Sequence, residues 1–228
     1  SDVFGDGSDL ALYRFQGNTV DDANGNNGTN SSTFTYSLLE GNFRGGAVLD
    51  GVSGKTNLPL DLTTISYSLS FWIKKRTTAG ATVQYVISRG GDTSFGSNFF
   101  GWNFSTQNGN FFYRRQIGST TNNELQSTTT IVPDTWYHVV TTYNNTSGAA
   151  ALYINGVQED TGTFQTGTVP FTGGFADGGP AIGARGANGI APQWFDGFMD
   201  QLRIFNRSVS ATEVATLYDD YVCQPGQA

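Results

Sequence analysis

Two stretches of the chain alternate apolar and polar positions cleanly enough to predict paired strands. In residues 136–143, Trp136, His138 and Val140 fall on one side, and Tyr137, Val139 and Tyr143 fall on the other. In residues 150–154, Ala150, Leu152 and Ile154 alternate with Ala151 and Tyr153, and Asn155-Gly156 follows directly. Period-two alternation closed by Asn-Gly is a strong short-range signal for antiparallel β structure. Residues 67–73 repeat the pattern, with Tyr67, Leu69, Phe71 and Ile73 against Ser68, Ser70 and Trp72. Further strands are predicted over 10–15, 45–51, 83–88 and 198–205, and a hairpin over 99–104 and 111–116 turns at Asn108-Gly109. A short strand near Ala181-Ile182 lies inside the Gly-rich stretch 173–189.

The segment 17–32, GNTVDDANGNNGTNSS, carries no apolar period and is predicted to be surface loop. One helix is predicted near the end. Ser210 and Glu213 have capping-box spacing, Val209 and Val214 have staple spacing, and Val214, Leu217 and Tyr218 form the apolar stripe. Many short strands with little helix imply an all-β fold, a two-sheet antiparallel jelly-roll sandwich with one short C-terminal helix. We expect one domain over 10–218, an N-terminal tail over 1–9 and a C-terminal tail over 219–228.

Composition narrows the setting. The 228 residues suffice for one large sandwich. Charged residues are only 14%, so neutral hydroxyls and amides must cover the surface, which suits a virion surface or an extracellular setting. Net charge is −7, which argues against nucleic acid as a partner, because displacing counterions from phosphates needs a basic patch. The basic runs Lys74-Lys75-Arg76 and Arg114-Arg115 read as solvated strand ends. Cys223 is the single cysteine, so no internal disulfide forms. Nothing approaches a membrane span, so membrane insertion is not expected. The start, SDVFGDGSDL, has no signal-peptide pattern, and Ser1 fits removal of an initiator Met. Synthesis in the cytosol followed by assembly into a particle is the expectation from those residues.

Four segments, in order, resemble the laminin-G-like, concanavalin A-like family: LALYRFQGNTVDDANGNNGT, GGAVLDG followed by SYSLSFWIK, WYHVV…LYINGV, and FDGFMDQLRIFNRSVSATEVATLY. The resemblance covers about residues 8–218 and implies a jelly roll whose members mostly bind ligands, although some are glycoside hydrolases or polysaccharide lyases. It also implies phage or adhesin settings. The expected function is therefore a non-catalytic recognition or structural module, a phage virion decoration or tail-associated protein that binds host or environmental glycans. A secreted or cell-surface carbohydrate-binding adhesin is the alternative. The expected partners are a glycan or polysaccharide and other virion or cell-surface proteins.

Catalysis finds little support in the residues. The family's hydrolases carry E-x-D-x-E on one strand face, whereas Glu40, Glu124, Glu159 and Glu213 have no acidic residue two positions away. Glu159 and Asp160 are adjacent, so a regular strand would point them to opposite faces. His138, the single histidine, reads as a packed structural residue. Asp200 falls on the face of Phe198, Leu202 and Ile204 if the strand is regular, so it either accepts backbone N–H groups or, as the resemblance implies, holds a structural Ca²⁺. Asp22 and Asn24, with Asn26, are a second candidate for calcium or else an Asx-turn loop. For ligand binding the candidates are Trp194 with Gln193, after a Gly-rich loop, and Trp102.

Overall fold

The computed structural model describes residues 2–77, 82–92, 99–117, 123–169, 180–184 and 193–222. In chain order the first strands are β1 (Asp9–Tyr13), β2 (Thr29–Asn30), β3 (Thr35–Ser37), β4 (Gly46–Asp50) and β5 (Thr56–Asn57). They are followed by β6 (Tyr67–Lys75), β7 (Gln84–Asp92), β8 (Phe99–Gln107), β9 (Asn110–Gln116) and β10 (Asn123–Gln126). The rest are β11 (Trp136–Tyr143), β12 (Ala149–Ile154), β13 (Val157–Thr163), β14 (Ala181–Ile182) and β15 (Asp196–Phe205), then helix α1 (Ala211–Val222). An eight-stranded sheet runs β13-β12-β11-β6-β15-β4-β3, with β1 added on β15, and a seven-stranded sheet runs β10-β9-β8-β7-β14-β5-β2. Every strand pairing within the two sheets is antiparallel. The fold is the two-sheet antiparallel sandwich that the alternation implies.

The hairpins follow from local chemistry. Asn108 and Gly109 have φ of 50° and 82°, and Asn155 and Gly156 have φ of 51° and 80°. Both central residues are left-handed, as a type I′ turn requires, and Asn tolerates that region better than other side chains. Between the sheets, Tyr67, Leu69, Phe71 and Ile73 meet Trp102, Phe104, Phe111 and Tyr113 in one continuous core. Truncating a buried Leu there to Ala would cost about 2–5 kcal/mol.

The eight-stranded sheet is covered on its outer side as well. Val140, Ala151, Tyr153 and Phe205 form a second cluster with Val209, Val214 and Leu217 at the helix, and Val3 and Phe4 pack onto it. The capping box forms as its spacing predicts. Ser210 N donates to Glu213 Oε2 at 2.7 Å, and Glu213 N returns the bond to Ser210 Oγ at 3.3 Å. Tyr218 stacks over Trp72 and His138, at 5.9 and 5.8 Å between ring centroids. No helix among the described residues is long and apolar enough to cross a membrane.

Several expectations need correction. Asp9 already belongs to β1, and the residues before it are tied down: Arg207 pairs with Asp6 at 2.6 Å and Phe4 packs on Phe205 at 5.4 Å. Helix α1 continues beyond residue 218 to Val222, while Cys223 and the rest of the tail lie outside the described residues. The basic runs are only partly solvated. Alternation turns Arg115 and Lys75 inward, leaving them 0% and 2% exposed.

Candidate functional site

A groove of about 470 Å³ opens at the edge of the seven-stranded sheet, lined by Thr29, Asn30, Ser31, Lys55, Asn57, Leu58 and Pro59. Its size falls within the few-hundred-Å³ range of small-ligand sites. Two very short strands build it, with Thr29 opposite Asn57 and Asn30 opposite Thr56. The pleat buries Thr56 and turns Asn57 toward the groove. Ser31 and Lys55 clamp the strand ends: Ser31 N donates to Lys55 O at 2.9 Å, and Lys55 N donates to Ser31 Oγ at 3.1 Å. The Asn30 amide is oriented from both ends, since its Oδ1 accepts from Thr19 Oγ1 at 2.8 Å and its Nδ2 donates to Tyr36 OH at 2.6 Å.

The loop leading into β2 is held by Asp21, a residue the sequence pattern did not single out. Its carboxylate accepts backbone N–H groups from Leu12 at 2.8 Å, Ala23 at 2.9 Å, Asn24 at 3.1 Å and Asn26 at 2.9 Å. Burial pushes the Asp21 pKa up, but these amides outweigh it and hold it below the usual value. The two expected metal residues are used differently. Asp22 is surface-exposed and pairs with Arg14 at 3.1 Å, and Asn24 Nδ2 donates to Asp9 O at 2.6 Å and Leu10 O at 3.1 Å. The Asx-turn arrangement is the one present here.

Asp200 is buried, but not on the face expected. The four residues of β15 from Asp200 to Arg203 lie against the three of β6 from Trp72 to Ser70, and Gln201 takes φ of 51°. This bulge inserts one residue and reverses the alternation. Leu202 and Ile204 therefore join the inter-sheet core, while Asp200 stays on the outer side near Trp72. Phe43 N donates to Asp200 Oδ2 at 2.8 Å from the loop crossing above. Burial pushes the Asp200 pKa up to about 8, against the pull of the backbone amides. A calcium ion wants about six to eight oxygen ligands. Here the facing backbone group is an N–H donor, and no cluster of three or more acidic, His or Cys side chains exists among the described residues. The residues around Asp200 do not fit that ion.

The remaining titratable groups have structural duties. His138 is fully buried, its Nε2 lies 2.9 Å from Ser70 Oγ, and burial pushes its pKa down to about 3, so the ring is neutral. Glu40 pairs with Lys74, Glu124 with Arg114 and Glu213 with Arg207. Glu159 and Asp160, expected on opposite faces, both reach the neighbouring strand β10 or the turn after it. A bulge sets Leu152 against Asp160 and Tyr153 against Gln158, leaving Glu159 as the extra residue. Asp160 Oδ2 accepts from Gln126 N at 2.9 Å, and Glu159 Oε2 accepts from Thr128 N at 2.8 Å.

Of the proposed ligand platforms, Trp102 is wholly interior, with its ring 5.3 Å from Tyr67, so neither face is open to a glycan. A residue on the core side of an inner strand has no other place to go. Trp194 and Gln193 are half-buried beside β7, where Tyr85 N donates to Gln193 O at 3.1 Å and Trp194 forms a parallel bridge to Tyr85. The Gly-rich loop before them, and Asp177, lie outside the described residues.

The family model Laminin_G_3, described as the concanavalin A-like lectin/glucanases superfamily, matches residues 50–215. The chain belongs to this family. No curated protein matches it. Among solved structures, domain 4 of AbnA, a GH43 extracellular arabinanase from Geobacillus stearothermophilus in complex with arabinotriose, is 25% identical with a TM-score of 0.65. That match covers 92% of this chain and 98% of the domain. The binding domain of Paraclostridial Mosquitocidal Protein 1 is 16% identical with a TM-score of 0.71, covering 95% of this chain. The botulinum neurotoxin serotype D binding domain is 19% identical with a TM-score of 0.70, also covering 95% of this chain. The chain spans about half of each of those two, at 53%.

Proposed function

We propose that this laminin-G-like sandwich is a non-catalytic glycan-binding module that takes a neutral oligosaccharide in the β2–β5 groove. The observation that carries the reading is the groove's lining: Asn and Thr/Ser groups with Lys55 beside the exposed ring of Pro59, with Leu58 buried beneath. Amides and hydroxyls both donate and accept, as a ring of sugar hydroxyls does, and apolar patches suit its C–H faces. The likeness to a domain solved with arabinotriose supports the same class of ligand. We further propose that the module works at a virion surface, as a decoration or tail-associated protein, or on another extracellular surface. The low charged fraction supports that setting. A second reading, docking onto another protein of such an assembly, draws on the ridge of Leu38 and Leu39, which are 67% and 94% exposed.

Titration of the protein with neutral and acidic oligosaccharides, arabino-oligosaccharides included, tests the function. Saturable binding that falls about tenfold, or about 1.4 kcal/mol, in Asn57→Ala is expected. Absence of binding across the panel overturns the glycan reading, and binding indifferent to Asn57→Ala moves the site. Release of new reducing ends from polysaccharide would contradict the non-catalytic assignment. Co-purification with particles from the native source checks the virion setting.

A further inference from the structure

Arg115 lies in the interior of the sandwich, and no described residue sets a carboxylate beside it. The described ion pairs give a carboxylate to Arg14, Lys74, Arg76, Arg114, Arg203 and Arg207, but none to Arg115. Its Nη2 donates to Gly167 O at 2.7 Å and its Nε to Gln165 O at 3.4 Å, while the guanidinium sits 4.2 Å over the Tyr143 ring. Its Nη1 is buried and has no acceptor among the described residues. Trp102, opposite Arg115 in the β8–β9 ladder, is also 0% exposed, and its Nε1 has no acceptor there either.

Three phenols complete the cluster. Tyr67 packs 5.3 Å from Trp102 and 5.6 Å from Tyr143. Tyr113 OH donates to Tyr67 OH at 2.9 Å, and Tyr143 OH is committed to Gln165 O at 2.8 Å. Burial pushes the Tyr67 hydroxyl well above its usual pKa, with Arg115 pulling the other way, and burial pushes Tyr113 up as well. Neither Tyr67 nor Tyr113 therefore supplies a tyrosinate to balance the guanidinium at neutral pH. The guanidinium's charge is met by two carbonyls and a ring face but by no counter-charge among the described residues, and a buried charge without a counter-ion is unfavourable.

We propose that Arg115 Nη1 and Trp102 Nε1 hold a compact monovalent anion, of chloride size, inside the sandwich. Enclosure sets the size, because both residues are fully buried and a bulky carboxylate would have to part the sheets. The anion would bind the folded state alone and would stabilise it by mass action. The inference is independent of the glycan groove, which lies at the other lateral margin of the seven-stranded sheet.

Thermal melting at constant ionic strength, exchanging gluconate for chloride or bromide, tests it. The expected result is a rise in Tm with chloride that saturates, and loss of that rise in Arg115→Met. Trp102→Phe keeps an aromatic ring and removes the indole donor, so it serves if Arg115→Met does not fold, and it should weaken the anion dependence. Crystals grown in bromide should show its anomalous peak within hydrogen-bond distance of both nitrogens. Equal Tm in all anions, a dependence unchanged in Trp102→Phe, or a water at that position in the bromide crystals would each overturn the proposal.

Discussion

Glu159 grips the turn after β10 through Thr129, accepting its backbone N–H at 2.9 Å on Oε2 and its hydroxyl on Oε1. The two residues belong to different sheets' margins, so this contact closes one open side of the sandwich. The neighbouring Asp160 takes the Gln126 amide at the end of β10, a group the edge strand would otherwise offer to another chain.

Glu159→Ala should lower stability by about 1–3 kcal/mol, because the amides of Thr128 and Thr129 lose a charged acceptor. Urea unfolding measures it as a lower midpoint with unchanged slope. A midpoint equal to wild type would mean that water replaces the carboxylate without penalty.

Asp200 makes stability fall with rising pH. Its folded pKa of about 8 stands above the ordinary carboxylate value of 3.8, so the folded state holds the proton longer than the unfolded chain. The contribution is complete below the lower value and is lost as pH climbs through the higher. Asp200→Asn, neutral at every pH, should gain on wild type steadily across that window. Parallel pH profiles of Tm for the two proteins would refute this.

His138 has the opposite slope. Its folded pKa of about 3 lies below the ordinary 6.5, so the unfolded chain takes up the proton first and stability falls as pH drops between those values. His138→Gln should cost stability at neutral pH through the lost contact with Ser70, yet should flatten the acid side of the profile. An acid limb of undiminished steepness in the variant would place the cause elsewhere.

Arg207 joins the N-terminal segment to the helix, pairing with Asp6 and with Glu213, each at 2.6 Å. These groups are partly exposed, so Arg207→Ala should cost only about 1 kcal/mol. The hydrogen bond from Arg207 leads in holding the Glu213 pKa down to about 2, so that contribution is present above 4.5 and vanishes as pH falls through the lower value. Hydrogen exchange should show residues 2–8 and the first helical turn opening together in the variant. Protection lost in only one of them would separate the two.

Much of the fold was legible because its cues are local. The type I′ turns, the two faces of β6 and β11, and the Ser210–Glu213 cap are each set by residues within a few positions of one another. The strands β2, β3 and β5 run for two or three residues, too short to show a period. Strand β13 is largely open to solvent and has no apolar face to alternate. Of the pair Asp21-Asp22, nothing in the sequence says which turns inward, and the choice follows from the bridge between Tyr13 and Asp21. The β2–β5 groove gathers residues from 29–31 and 55–59 without a motif, so only the tertiary structure displays it. Trp102 was misplaced for a related reason: composition shows that a tryptophan exists, and strand packing decides whether it can be seen.

The extra residue at Gln201 has a consequence for how this strand tolerates change. Upstream of it Met199 faces the inter-sheet core, and downstream Leu202 and Ile204 face the same core, with Phe205 turned to the helix side. Deleting Gln201 alone would leave composition almost untouched. It would remove the bulge and leave Met199, Leu202 and Ile204 facing the core, with Asp200, Arg203 and Phe205 facing outward, in plain alternation. In a lineage of such sandwiches, a one-residue deletion at this bulge can therefore be absorbed without compensating replacements, whereas a length change elsewhere in β15 would reverse the face of every residue beyond it.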